Sequence, residues 1–212
     1  HFFRAWQVSE GDLFPEKSGQ RLGGILPASL SQVSDSFAYL KNNPAARLNA
    51  RTWGHAVAIP LQPENQRFTD FANTAIYAPT AYLPQALAIA VLRPFHVSPL
   101  LILYATRLAN LLLWILLVSA AIRLMPFMQT LLAAIAMLPA TICIAASANA
   151  DVLTNGLAWC LTVALLFSPI STAFLKKLLA TLIIASNKLI AVVLIFAALF
   201  SVGKKLPGRV ES

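Results

Sequence analysis

The chain has 212 residues, 58% of them hydrophobic and 11% charged, with a formal charge of +8. Soluble domains carry about 45–50% apolar and about 25% charged residues, so an ordinary water-soluble globule is excluded. Residues 81–212 hold nine Lys/Arg and only Asp151 and Glu211 as acids, and their basic residues lie between apolar runs rather than in one patch. That argues against a nucleic-acid interface and fits the positive-inside bias of membrane proteins better.

Residues 1–80 are water-like in composition, with seven Lys/Arg and six Asp/Glu. Turn formers break them at Gly11-Asp12, Pro15, Gly23-Gly24, Pro27, Asn42-Asn43-Pro44, Pro60, Pro63 and Pro79. Val33, Phe37 and Leu40 repeat at helical spacing and predict a helix over 30–41. With so little periodicity elsewhere, the segment reads as a folded loop that packs on a membrane half rather than as a free-standing core. The chain opens at His1 without a signal peptide, and is expected to be a fragment or to have lost its start.

Tyr82 to Arg93 is apolar but short of the roughly 20 residues that a helical crossing needs, which predicts a juxtamembrane helix near 82–93 lying along the surface. Spans follow near 100–122, 127–146 (with a kink at Pro139), 152–167, 175–187 and 189–203. Two short helices with Lys188 at their turn fit better than one helix that would bury its charge at mid-bilayer. The expected architecture is therefore an all-α, polytopic membrane helix bundle with an extracytoplasmic loop region at 1–98. Arg123, Lys176-Lys177 and Lys204-Lys205-Arg209 mark the cytoplasmic loops, and the Asp151 and Lys188 turns the outer ones. An outer loop at the chain start implies a further membrane helix before His1.

Few residues here carry chemistry. Asp151 reads as an N-terminal helix cap or as a carboxylate facing a polar cavity, able to bind a metal or orient a sugar hydroxyl. Lys188 reads as a snorkelling lysine or as a point charge for a phosphate. Arg107 reads as a donor to a neighbouring helix end or as a bidentate clamp on phosphate or carboxylate. His55 and His96 are isolated surface residues, and Tyr77, Tyr82 and Trp53 fit an interfacial aromatic belt. Cys143 and Cys160 fall inside apolar runs and form neither a disulfide framework nor a metal pattern. No Gly-rich phosphate loop, Ser-His-Asp arrangement or HExxH occurs.

Several stretches together resemble one family. They are His1-Phe2-Phe3-Arg4-Ala5, Ser9-Glu10-Gly11, Gly23-Gly24-Ile25-Leu26-Pro27 and Tyr77-Ala78-Pro79-Thr80-Ala81-Tyr82-Leu83-Pro84-Gln85-Ala86. Arg107-Leu108 with Asn110, Leu138-Pro139 and the stretch from Ser147 to Asp151 continue the series. In order and spacing they resemble the bacterial predicted membrane proteins grouped as domain of unknown function 2142, over nearly the whole chain. That family looks similar to membrane glycosyltransferases of the GT-C fold, and the resemblance carries several implications. The protein would sit in the bacterial inner membrane and use a polyprenyl-phosphate sugar donor for envelope glycan assembly. A divalent cation is the one cofactor it leaves open. Arg4, Tyr82, Arg107 and Lys188 would bind substrate, and Asp151 would match a second acidic site. The main acid pair of the family precedes the position of His1, so the fragment by itself is expected to be inactive. A non-enzymatic carrier or flippase of a lipid-linked glycan, and a structural membrane subunit, are the alternatives.

Overall fold

The computed structural model describes residues 1–167; Lys188 and the spans expected near 175–187 and 189–203 lie outside them. The described chain divides into two compact units: His1–Leu111 with Ala146–Ala150, and Leu112–Ala145 with Asp151–Phe167.

The first unit begins with helix α1 (Phe2–Ser9), followed by strands β1 (Glu16–Ser18) and β2 (Arg21–Pro27). Gly19 opens the two-residue loop between these strands at φ +63°. A positive φ at the first loop position is what a type II′ hairpin uses, and glycine takes it without a Cβ clash. Strand β3 (Gln66–Asp70) pairs antiparallel with the other edge of β2, from Gly23 opposite Asp70 to Pro27 opposite Gln66. Gly23 makes that pairing possible, because a Cβ there would lie 2.0 Å from the Thr69 carbonyl oxygen.

Pro27 cannot extend the ladder with an N–H, and the chain turns into helix α2 (Ala28–Ser36). The helix expected over 30–41 therefore starts earlier and stops at Ser36, and a 3-10 turn at Ala38–Leu40 follows. The Ser36 hydroxyl donates to the Gln32 carbonyl at 2.9 Å, a back-bond that competes with helix continuation. Helix α3 (Ala50–Ala58) is capped by Asn49, whose Oδ1 accepts from the Arg51 N–H at 2.9 Å. A single turn, α4 (Ala72–Ala75), leads towards helix α5 (Leu83–Leu92).

The all-α expectation thus fails over the first unit, which adds a three-stranded sheet to a mostly helical chain. Residues 1–80 share a core with the chain that follows them. Ala5, Trp6, Leu26, Leu30, Tyr82 and Ile89 are buried in one cluster that takes in Ile102 and Ala150. This core is assembled from short pieces distant in sequence, so residues 1–80 show little periodicity of their own.

Helix α6 (Pro99–Leu124) runs for 26 residues, and among the described residues it is the helix long and apolar enough to cross a membrane. In the second unit, the single span expected over 127–146 is two helices, α7 (Gln129–Ala136) and α8 (Pro139–Ala145). The kink at Pro139 is a full break because proline has no N–H to donate and its ring clashes with the preceding turn. The Thr141 hydroxyl reaches back to the Ile135 carbonyl at 3.3 Å and satisfies part of what the break releases. Helix α9 (Asp151–Phe167) opens with an acid, where the helix dipole favours negative charge. It packs through Gly156 against Leu117, and Trp159 meets Trp114 edge-on with ring centroids 5.3 Å apart.

Candidate functional site

Residues 146–150 of the first unit are irregular, partly buried backbone bound by side chains of α5 and α6. A carbonyl left without a donor in apolar surroundings costs several kcal/mol in lipid, so non-helical backbone at such a place needs partners. Three side chains supply them. Arg107 donates from Nε to the Ala146 carbonyl at 2.7 Å. Asn110 donates from Nδ2 to the carbonyls of Ser147, at 2.7 Å, and Asn149, at 3.1 Å. Gln85 on α5 donates from Nε2 to the same Asn149 carbonyl at 2.6 Å. Within the loop, Asn149 Nδ2 donates to Ser147 Oγ at 2.6 Å.

Asn110 and Gln85 are buried and Arg107 is exposed. Arg107 carries its guanidinium over the Tyr104 ring, 5.5 Å from the centroid. Its Nε is held by the loop and its plane by the ring. Its two Nη nitrogens make no hydrogen bond among the described residues. Such a fork is oriented in advance and keeps donors for an anion. Asp151 follows the loop directly in the chain and starts the first turn of α9.

Arg4 and Tyr82 lie elsewhere in the first unit, both in its interior. Arg4 is 1% exposed and donates from Nη1 to Gln7 Oε1 at 2.5 Å and from Nη2 to the Leu13 carbonyl at 2.7 Å. Gln7 in turn donates to the Phe14 carbonyl at 2.9 Å, so the pair fastens the chain after α1. Burial lowers the Arg4 pKa, and the charge of Tyr82 opposes that shift. The Tyr82 hydroxyl bonds His1 Nδ1 at 2.8 Å, and the His1 ring also stands 5.5 Å from the Tyr77 ring.

A cavity of about 510 Å³ opens beside His1. Phe2, Phe3, Val33 and Phe37 supply apolar walls, and Asp35 and Lys41 line it as well. Leu103 on α6 also lines it. Arg107 is one helical turn further along α6, four residues on and on the same face. Asp35, Gln85 and the loop-holding role of Asn110 were not legible as site features from the sequence. The available signal was that Gln85 and Asn110 are polar residues inside otherwise apolar helical runs. Among the described residues no three His, Cys, Asp or Glu side chains come together as a metal site.

The family described as predicted membrane protein (DUF2142) matches residues 1–206, and the chain belongs to that family. It is thus a membrane protein whose environment includes lipid. No curated protein and no solved structure matches it.

Proposed function

We propose that this protein works as a GT-C-like glycosyltransferase, multi-pass in the bacterial cytoplasmic membrane. It would move a sugar from a polyprenyl-phosphate donor to an envelope glycan acceptor on the outer surface. The observation that supports this most is the Arg107 fork, one turn along α6 from a cavity with aromatic walls and a carboxylate.

The reaction is a substitution at the anomeric carbon. An acceptor hydroxyl oxygen bonds to that carbon while the bond to the donor phosphate breaks, and the phosphate leaves with the electron pair. Arg107 stabilises the negative charge on the leaving oxygens, joined by Lys188. The acceptor proton goes to an outer carboxylate acting as base. Asp151 is the acid suggested by the sequence, and Asp35 is the competing choice because it lines the cavity. Tyr82 bonds His1, which lines the cavity, Arg4 fastens the chain after α1, and a divalent cation is the cofactor to test.

In the full-length protein, Arg107→Ala should weaken binding of undecaprenyl phosphate roughly ten- to a hundredfold, the loss of a charge-assisted bond worth about 1.5–3 kcal/mol. Unchanged affinity, or binding no tighter than that of a dialkyl phosphate, would defeat the proposal. A structural subunit or non-enzymatic carrier is the second reading. The favouring observation is that Arg107, Asn110 and Gln85 all donate to loop carbonyls.

A further inference from the structure

Apart from the exposed Arg107, helix α6 is patterned inside out. Its buried positions include the polar Thr106 and Asn110, beside Ile102 and Trp114. Its exposed positions include Leu101, Leu108, Leu112 and Leu116. A helix in water places polar groups outside, and a helix in lipid has no reason to.

Helix α5 repeats this pattern at a length that cannot span a bilayer. Its 10 residues, Leu83–Leu92, contain no charged side chain. The sole polar side chain, Gln85, is fully buried and donates to the Asn149 carbonyl. Ala86 and Ile89 are buried with it. The opposite face carries Leu83, Leu87 and Val91 at successive four-residue steps, exposed at 50%, 65% and 65%. Phe95, 72% exposed, continues the apolar surface past the helix end. Charge appears only at that end, where Arg93 pairs with Glu10 at 3.4 Å.

We infer that the Leu83–Leu87–Val91 face of α5 contacts lipid acyl chains, so that α5 is a membrane-embedded helix that does not cross. Three features favour lipid over another protein segment. The chain belongs to a membrane protein family. The exposed face of α5 offers no polar group for register with a partner. The chain passes from α5 into the spanning helix α6 through only residues 93–98. The inference is independent of the reaction proposed above.

The test is site-directed spin labelling of the full-length protein in phosphatidylethanolamine–phosphatidylglycerol nanodiscs, with Cys143 and Cys160 replaced by serine. Labels at Leu87→Cys and Val91→Cys should collide several-fold more often with oxygen, which concentrates in lipid, than with a water-soluble nickel complex. A label at Lys17→Cys should show the reverse. Greater nickel accessibility at Leu87 and Val91 would overturn the inference by placing the face in water. Immobile labels shielded from both reagents would overturn it by placing the face under protein. The two sites lie one turn apart, so a local perturbation at either is exposed by disagreement with the other.

Discussion

The side-chain nitrogen of Asn110 stands 2.7 Å from the carbonyl oxygen of Ser147. Through this contact, a residue in the middle of an apolar helix holds a loop 37 positions away in sequence. The same nitrogen also serves Asn149. Asn110→Leu roughly keeps the volume and removes the donor to both carbonyls, of which that of Asn149 keeps Gln85. A loss of about 1 kcal/mol is expected for the hydrogen bond removed at the Ser147 carbonyl. Unfolding in mild detergent, compared with the parent, measures it; an unchanged midpoint would mean that water reaches the loop.

Gly156 tests the packing of the second unit. A Cβ there would meet Leu117 Cδ1 at 2.5 Å and Leu117 Cβ at 2.9 Å. The terminal methyl can rotate away, but the Cβ cannot move without its helix. Gly156→Ala should therefore cost about 1–3 kcal/mol through overpacking, more than the gain in helix propensity returns. Adding Leu117→Ala should restore part of it, and a double-mutant cycle on thermal midpoints reads the coupling.

Gly23→Ala should damage the first unit more severely. The clash is with backbone, the Thr69 carbonyl oxygen at 2.0 Å, and no rotamer relieves it. Pairing of β2 with β3 should open, seen as loss of amide exchange protection at Ile25 and Phe68. Retained protection at both would refute the close approach.

Glu10 carries a pH signature. Burial raises its pKa above the ordinary 4.5, against hydrogen bonds from Trp6 and Arg93 and the charge of Arg93. The folded chain then holds the proton to higher pH than the unfolded chain. Stability falls as pH rises from the ordinary value through the raised one. Glu10→Gln should flatten that part of the profile, measured as the unfolding midpoint against pH. An equally steep decline in the variant would assign it to another group.

Orientation is tested by Lys17→Cys in a background without native cysteines. A membrane-impermeant thiol reagent should label it from outside intact spheroplasts. Labelling only after lysis would reverse the proposed topology and the site built on it.

The sequence made α6 legible because 26 residues of nearly unbroken apolarity have few other fates. It hid the sheet. Strand β1 is Glu-Lys-Ser, β2 contains Gly23-Gly24, and β3 is Gln-Arg-Phe-Thr-Asp, none with clear alternation. Their register comes from pairings such as Gly23 with Asp70, which no local window contains. Arg107 stood out as a charge in an apolar run, but its partners Ala146 and Tyr104 emerged only from packing. The resemblance makes Arg4 a substrate-binding residue, whereas in the structure it is buried and donates to Gln7 and the Leu13 carbonyl. Burial of a cation depends on acceptors that distant folding brings, so composition alone gives no sign of it.

The sheet described above ends on both sides in strands poorly suited to recruit a neighbour. Strand β1 has 3 residues, and β3, with 5, carries Arg67 and Asp70. A foreign strand adding to either edge would gain few hydrogen bonds and would have to accommodate charge beside its own side chains. Strand exchange and fibrillar stacking at these two edges are therefore discouraged even where copies crowd together in the plane of a membrane.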